Sequence, residues 1–160
     1  MLKLIRTSTI PASLENLLKG QLKMLSKYYN VLAVSSPGDD METIEEREGV
    51  RTIAIPMERR ISLIKDFISL IRLIVLFAKE RPDMVHSITP KAGLLSMLAA
   101  WITRVPVRMH TFTGLVFPTA TGKMQKLLIA MDRLTCFCAT HINPEGGRGK
   151  AGFGQLQYYI

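Results

Sequence analysis

The sequence predicts an α/β fold in which a parallel sheet lies between two layers of helices. Six short apolar segments with strand composition alternate along the chain with segments of helical periodicity. Strands that alternate with helices pair in parallel, because each connection crosses one face of the sheet in the right-handed sense. The length of 160 residues and the apolar content of 48% suit one folded domain. We therefore expect a three-layer α/β sandwich.

The chain begins with two predicted strands on either side of an amphipathic helix. Leu2–Thr7 alternates between apolar and polar residues, as a half-buried strand does. Apolar residues then recur at three- and four-residue spacing from Leu14 to Tyr29, which predicts one helix with a buried face. Val31–Ser35 is a short apolar strand, and the turn residues Ser36–Asp39 end it.

An acidic segment follows, and then a third strand and a long helix. Val50–Ile55 has strand composition, and Pro56 ends it. Ile61–Glu80 is apolar on nearly every side, with a narrow polar stripe that includes Lys65 and Arg72. We expect neighbouring elements to cover most of the surface of this helix. Its uncharged runs are far shorter than the ~20 residues that a membrane-spanning helix needs.

Three further strands alternate with two helices in the second half. Asp83–Ser87 has the composition of a buried strand, and Thr89 followed by Pro90 is typical of a helix start. Small residues in that helix, including Gly93, allow its backbone to approach a sheet closely. The helix continues to about Thr103. The last predicted elements are a strand at Pro106–Thr111, a helix over about 123–135 and a strand near Ala139–Asn143.

The chain carries a formal net charge of +8, and its second half is the more basic one. Such a charge favours nucleic acid, an anionic membrane surface or a phosphorylated small molecule as partner. Aromatic residues do not alternate with the basic ones as a nucleic-acid platform requires, so we expect no nucleic-acid partner. Basic helix faces and the apolar loop Leu115–Pro118 allow peripheral membrane contact, although a solvated face is the simpler interpretation. The basic residues concerned are Lys19, Lys23, Lys27, Lys123, Lys126 and Arg133.

The cysteine pattern predicts a reduced, cytoplasmic protein. Cys136 and Cys138 are too close in sequence to staple a fold, and no secretory signal is present. His141 lies near them, but a closed zinc site needs four ligands at wider spacing, so we expect two core cysteines and no metal. The sequence also lacks the motifs of a dinucleotide site, a P-loop or a hydrolase nucleophile.

Candidate site residues follow the predicted strands, because parallel sheets bind ligands beyond the carboxyl ends of their strands. His110 is followed by Thr111, Thr113 and Gly114, which places an imidazole, two hydroxyls and a flexible backbone at one crevice. Histidine there suits a sugar hydroxyl or a phosphate, and a histidine bonded to a neighbouring loop is the structural alternative. His86 ends another strand and is open to the same two interpretations.

The predicted helix start at Thr89 is a candidate anion site. Free backbone N–H groups and the positive end of the helix dipole attract anions, and Lys91 adds a mobile charge. An ordinary capped helix start with a solvated lysine accounts for the same residues.

Several motifs together resemble the N-terminal half of family 4 glycosyltransferases, above all bacterial capsular and lipopolysaccharide sugar transferases. The longest are RPDMVHSITPKAG at 81–93 and VPVRMHTFTG at 105–114. Shorter stretches that fit are Ser35–Gly38, Ile55–Arg59, Thr119–Gly122 and Asp132–Thr135. The resemblance covers residues 1–144, which we expect to form a single Rossmann-like domain.

The resemblance implies a GT-B enzyme, in which one Rossmann-like domain holds the acceptor and a second binds the nucleotide sugar. Such enzymes transfer a sugar to a polysaccharide or lipid-linked acceptor with retention of configuration, usually without a metal or another cofactor. His110 matches the family histidine near the donor sugar, and Thr111, Thr113 and Gly114 would line the same wall. Donors of hydrogen bonds and positive charge are needed there, since the departing diphosphate is anionic.

The sequence departs from the family at two places. Thr7–Pro11 stands where many relatives have a glycine-rich turn, and a glycine-rich stretch at 145–160 stands where they continue into a donor domain. We expect that stretch to be disordered and the chain alone to be a poor catalyst. Two alternatives remain: a non-catalytic subunit that recruits a donor-binding chain to the inner face of the plasma membrane, or an α/β module for phosphorylated ligands.

Overall fold

A computed structural model describes residues 1–113 and 121–144. The strands in these residues are β1 Lys3–Thr7, β2 Asn30–Ser35, β3 Arg51–Ala54, β4 Met84–Ser87, β5 Val107–Phe112 and β6 His141–Pro144. The helices are α1 Pro11–Leu17, α2 Gln21–Leu25, α3 Asp40–Glu48, α4 Leu63–Glu80, α5 Pro90–Ile102 and α6 Gly122–Cys138. All the strands pair in parallel, in the order β3-β2-β1-β4-β5-β6. The predicted α/β fold, Rossmann-like with a parallel sheet, is confirmed.

Alternate residues of the central strands face two separate hydrophobic cores. Leu4 and Ala33 pack with α1, α2 and α3, which we call the front layer. Ile5 and Val34 pack with α4 and α5. Since α6 packs against α5, the three helices α4, α5 and α6 form the back layer. Because successive side chains of a strand point to opposite faces, each strand contributes to both cores.

The predicted helix from Leu14 to Tyr29 is two short helices in the structure. Leu14, Leu18 and Leu22 are all buried, as the periodicity predicts. Between the two helices Gly20 takes a left-handed conformation with φ of 73°, which a glycine adopts without steric cost. The amphipathic pattern was therefore right about burial and wrong about continuity.

The acidic segment after β2 contains a helix that the sequence analysis did not identify. α3 buries Met41 and Ile44 and ends at Gly49, whose φ is 65°. Two apolar residues among many carboxylates give a weak periodic signal, and tertiary packing supplies the rest of the stabilisation.

The prediction that neighbouring elements cover most of α4 is wrong. Leu73 and Phe77 are buried against the sheet. On the opposite side Leu63, Ile64 and Phe67 have exposed fractions of 82%, 77% and 62%. No neighbouring element in the described part of the chain covers that side.

Three predictions concern residues outside the described ranges: Gly114, the loop Leu115–Pro118 and the stretch 145–160. Among the helices described, none combines the length and the apolar character that crossing a bilayer would require.

Candidate functional site

The predicted site residues meet at the carboxyl edge of the sheet but divide between its two faces. In the pairing of β4 with β5, His86 lies beside Met109 and Ser87 lies beside His110. The two histidines therefore occupy positions of opposite orientation in adjacent strands. Each face has its own chemistry.

On the back face, His110 is a buried imidazole with one open ring nitrogen. Its exposed fraction is 1%, its Nδ1 lies 2.8 Å from Ser87 Oγ, and its ring meets Phe112 edge to face at 4.4 Å. Among the described residues, Nε2 has no hydrogen-bond partner. Burial lowers the His110 pKa to about 4, so the ring is neutral at pH 7. A neutral ring with an open nitrogen suits hydrogen bonding to a hydroxyl.

Gly93 of α5 lies directly against that imidazole. A Cβ at this position would lie 2.7 Å from His110 Nδ1 and closer still to Cε1. Any side chain larger than that of glycine would overlap the His110 ring. This confirms the predicted close approach of the helix to the sheet.

On the front face, His86 has both ring nitrogens engaged. Its Nδ1 lies 2.8 Å from Arg6 Nη1, and its Nε2 lies 2.8 Å from Thr111 Oγ1. Since a guanidinium only donates, Nδ1 accepts, and Nε2 carries the hydrogen that it donates to Thr111. Burial, and then the charge of Arg6, lower the His86 pKa to about 3. His86 is thus a neutral connector between β1 and β5.

The space in front of this network is small. A crevice of roughly 90 Å³ lies beside Arg6, His86 and Thr111, with Asn143 of β6 at its side. It has room for a few water molecules. Thr113 also lines the crevice and donates a long hydrogen bond of 3.4 Å to the Ile88 carbonyl. The structure thus places Thr111 and Thr113 at the front crevice, whereas His110 lies on the back face.

The Thr89 hydroxyl joins the start of α5 to the loop after β1. Thr89 Oγ1 accepts a hydrogen bond of 2.8 Å from the Thr9 backbone N–H and lies 2.7 Å from Thr9 Oγ1. Thr9 Oγ1 in turn accepts a bond of 3.2 Å from the backbone N–H of Ala92. Threonine side chains therefore satisfy an N–H group at this helix start. No sequence motif indicates this role of Thr9.

The prediction that Lys91 supplies a mobile charge is wrong. Lys91 is buried, and its Nζ donates to Asp66 at 2.7 and 3.0 Å and to the Arg60 carbonyl. The ion pair holds the first turn of α4 against the start of α5, and the bond to the Arg60 carbonyl holds the loop before α4 there as well. A buried pair of this kind fixes geometry, because removing either member leaves an uncompensated charge. Asp66 lies 25 residues from Lys91, so no local sequence pattern indicates the pairing.

An apolar groove that the sequence analysis did not predict opens beside this ion pair. We call it the edge groove; its volume is roughly 500 Å³. Exposed Arg59 and Arg60 line it, and so does Asp132, whose pKa is raised by burial to about 6. The other lining residues are Ile61, Pro90, Lys91, Met124, Leu128 and Met131. An apolar wall beside two guanidinium groups suits a ligand with both a hydrocarbon and an anionic part.

The cysteines take no part in either face of the site. Cys138 is buried, and burial together with Asp132 raises the Cys136 pKa to about 11, which disfavours a reactive thiolate. His141 is exposed, and its Nδ1 lies 2.9 Å from Thr140 Oγ1. Within residues 1–113 and 121–144, no three side chains of His, Cys, Asp or Glu come together as metal ligands.

Comparisons with known sequences connect this geometry to one family. Residues 28–142 match the glycosyl transferase 4-like domain. The chain is 38% identical over 141 residues to the capsular polysaccharide biosynthesis glycosyltransferase CapM of Staphylococcus aureus, covering 88% of this chain and 36% of that protein. It is 42% identical over 97 residues to the Escherichia coli UDP-Gal:alpha-D-GlcNAc-diphosphoundecaprenol alpha-1,3-galactosyltransferase, covering 59% of this chain and 25% of that protein. The chain thus spans about a third or less of these relatives.

Solved structures share the fold at low sequence identity. Anabaena HepE in complex with UDP and glucose superposes with a TM-score of 0.71 at 11% identity, over 98% of this chain and 41% of that one. The UDP-GlcNAc 2-epimerase of Neisseria meningitidis bound to UDP-GlcNAc gives a TM-score of 0.63 at 19% identity, over 100% and 43%. These likenesses establish the Rossmann-like architecture, which transferases and epimerases share.

Proposed function

The chain belongs to the glycosyl transferase 4-like domain family, and on that premise we propose that it is the acceptor-binding domain of a retaining sugar transferase. The observation that carries the proposal is the edge groove, which combines an apolar wall with Arg59 and Arg60. A saccharide linked through a diphosphate to an isoprenoid lipid has the matching parts. The E. coli relative is named for an acceptor of that chemistry.

In this proposal the two arginines bind the diphosphate of the acceptor. Both are exposed, and both flank the apolar residues Ile61 and Met124. Guanidinium groups bind phosphate oxygens through paired N–H donors, so two of them at one groove favour a diphosphate over a neutral sugar. The first isoprene units of the lipid lie along the apolar wall.

His110 hydrogen-bonds a hydroxyl of the transferred sugar through Nε2. Its pKa of about 4 makes it a hydrogen-bond partner and not a general acid at pH 7. Thr111 and Thr113 lie at the end of the same strand, with Gly114 next in the sequence, and His86 supports that strand end from the front by its bond to Thr111. Thr89 and Lys91 contribute by fixing the start of α5 and the wall of the edge groove.

The donor in this proposal is a nucleotide sugar, and transfer proceeds with retention and without a metal or other cofactor. Turnover also needs a domain that binds the nucleotide-sugar donor. The relatives are long enough to contain such a domain, since the aligned part is about a third of their length or less. Two cations of the described carboxyl edge, Arg6 and Lys91, are engaged with His86 and Asp66. We therefore expect the chain alone to bind acceptor and to transfer little or no sugar.

Calorimetric titration with N-acetylglucosaminyl diphosphate carrying a farnesyl chain tests the proposal. We expect binding that weakens about tenfold or more in the Arg59→Ala/Arg60→Ala variant, since a hydrogen bond to a charged group contributes about 1.5–3 kcal/mol. Arg104→Ala removes an exposed cation that follows α5 at the other edge of the sheet and is the matched control. Binding of UDP with no response to the diphosphate lipid would assign this domain to the donor instead.

A further inference from the structure

The outer side of α4 is an apolar surface on the described domain. Its exposed members follow one another at spacings of one, three and four residues, which aligns them along one side of the helix. They are Leu63, Ile64, Phe67, Ile68, Ile71 and Val75. The side that carries Leu73 and Phe77 packs on the sheet instead. α4 therefore has two apolar sides and needs a second apolar environment.

Basic residues border this apolar surface. Lys65, Arg72 and Lys79 are exposed and recur every seven residues, which places them in one row along its edge. Lys65 also contacts Glu58 in an exposed pair, which contributes little in water. The carboxylates of α4 lie elsewhere: Asp66 pairs with buried Lys91.

The other end of α4 follows the same charge pattern. Glu80 binds Lys3 at 2.8 Å and also contacts Arg51, so its charge is neutralised within the domain. On the same layer Trp101 and Phe137 are exposed with their ring centroids 6.2 Å apart. Aromatic rings of this kind favour the boundary between hydrocarbon and water.

The α3 side of the front layer presents the opposite charge. The exposed side of α3 carries the carboxylates Glu42, Glu45 and Glu46. A negatively charged surface repels this side and attracts the row beside α4. The charge distribution therefore orients the domain as well as holding it.

We propose that the outer side of α4 docks on an anionic lipid bilayer, with its apolar residues in the headgroup and acyl boundary. An apolar helix side with cations along its edge is the pattern of interfacial helices. Anionic headgroups complement Arg72 and Lys79, and hydrocarbon receives Ile64 and Phe67. A second copy of this chain fits less well, because pairing the same side with itself would bring rows of like charge together.

Docking in this way places the edge groove at the membrane surface. Arg59 and Arg60 lead directly into α4. Ile61 lines the groove and lies two residues before Leu63, the first member of the apolar surface. A lipid-linked acceptor then reaches the groove without leaving the bilayer. This second step rests on the proposed function, whereas the docking itself does not.

Flotation of the 160-residue chain with vesicles tests the charge part. We expect binding to equimolar phosphatidylglycerol and phosphatidylcholine, and loss of it on pure phosphatidylcholine or in molar salt. Arg72→Gln/Lys79→Gln should weaken binding about twenty-five-fold, since each cation near an anionic surface contributes about 1 kcal/mol, or about fivefold. Lys19→Gln/Lys23→Gln removes the same charge from the front layer and should change binding little.

A second pair of variants tests the apolar part. Ile64→Ser/Phe67→Ser should weaken vesicle binding about tenfold or more, because two inserted side chains are lost. Both residues are exposed, so the thermal unfolding midpoint should stay close to that of the wild type. Met24→Ser/Tyr28→Ser changes two exposed apolar residues of the front layer and is the matched control.

Three outcomes would overturn the docking proposal. One is a chain that binds neither vesicle, and another is equal loss of binding in the front-layer and α4 variants. The third is a lipid-free dimer, seen by analytical ultracentrifugation, that Phe67→Ser abolishes. The α4 variants should bind the farnesyl acceptor in solution with wild-type affinity, so failure of docking and failure of the proposed function are distinguishable.

Discussion

The carboxyl edge of the sheet differs between its front and back sides. On the front, Arg6, His86 and Thr111 form a continuous chain of hydrogen bonds in front of a crevice of roughly 90 Å³. On the back, the buried Nε2 of His110 has no hydrogen-bond partner among the described residues, and a groove of roughly 500 Å³ lies at the same edge. Buried polar groups that satisfy one another stabilise the fold, and the larger, partly apolar groove has the room that a ligand needs. We therefore propose that the ligand binds on the back.

The outer surfaces of the two layers differ in the same sense. In the front layer, the exposed side of α3 carries the carboxylates Glu42, Glu45 and Glu46. The back layer exposes the apolar side of α4 and a row of cations. The groove and the docking surface thus share one side of the molecule.

The largest expected effect distinguishes two glycines, one on each side. Gly93→Ala should cost about 3 kcal/mol of unfolding free energy, because the new Cβ overlaps the buried His110 ring. Gly38→Ala in the front half should cost less than about 1 kcal/mol, since its Cβ meets only Pro11 Cγ at 3.1 Å. Urea unfolding measures both values.

A double variant shows whether the His110 ring is the cause. In a His110→Ala background, Gly93→Ala should be neutral or stabilising by up to about 1 kcal/mol, the intrinsic preference of a helix for alanine. An equal cost in both backgrounds would contradict the packing of Gly93 on His110.

The next largest effect is the loss of domain stability in acid that the two buried histidines cause. Folding lowers the pKa from 6.5 to about 3 for His86 and to about 4 for His110. As the pH falls, these imidazoles therefore bind protons at a higher pH in the unfolded chain than in the folded one. Their contribution to the free energy of unfolding is fully present above pH 6.5 and is lost as the pH falls below it. Each histidine should lower the free energy of unfolding by about 2 kcal/mol when the pH falls from 7 to 5. The raised pKa of Asp132 acts in the opposite direction over this range and offsets part of the loss.

Comparison of variants isolates each histidine from the other groups. His86→Gln and His110→Gln should each lose about 2 kcal/mol less than the wild type between pH 7 and pH 5, in urea unfolding at both pH values. His141→Gln changes an exposed imidazole and is the control. If neither substitution of a buried histidine alters the pH dependence of the free energy of unfolding, the two imidazoles are not buried as described.

Much of the fold could be predicted because the strands are short, apolar and bounded by turn residues. Each predicted strand lies within two residues of the observed one, as for Val31–Ser35 against Asn30–Ser35. α3 could not be predicted because its buried residues, Met41 and Ile44, are too few to outweigh the acidic composition. The exposure of α4 was missed for another reason: apolar periodicity shows that a side is apolar, but not what covers it.

The arrangement of the candidate site residues could not be predicted from the sequence. His86 and His110 lie near the carboxyl ends of neighbouring strands. The register that sends them to opposite faces depends on strand pairing, which no local pattern reveals. The pairing of Lys91 with Asp66 joins two helices, and the edge groove forms only where α5, α6 and the loop before α4 meet.

Hydrogen–deuterium exchange on the 160-residue chain, with and without the farnesyl-linked N-acetylglucosaminyl diphosphate, tests acceptor binding on the back side most directly. We expect slower exchange over residues 59–66, 89–93 and 122–132, which form the edge groove, and little change over 17–25 of the front layer. Protection confined to residues 17–25, with none at the edge groove, would contradict the assignment of acceptor binding to the back of the sheet.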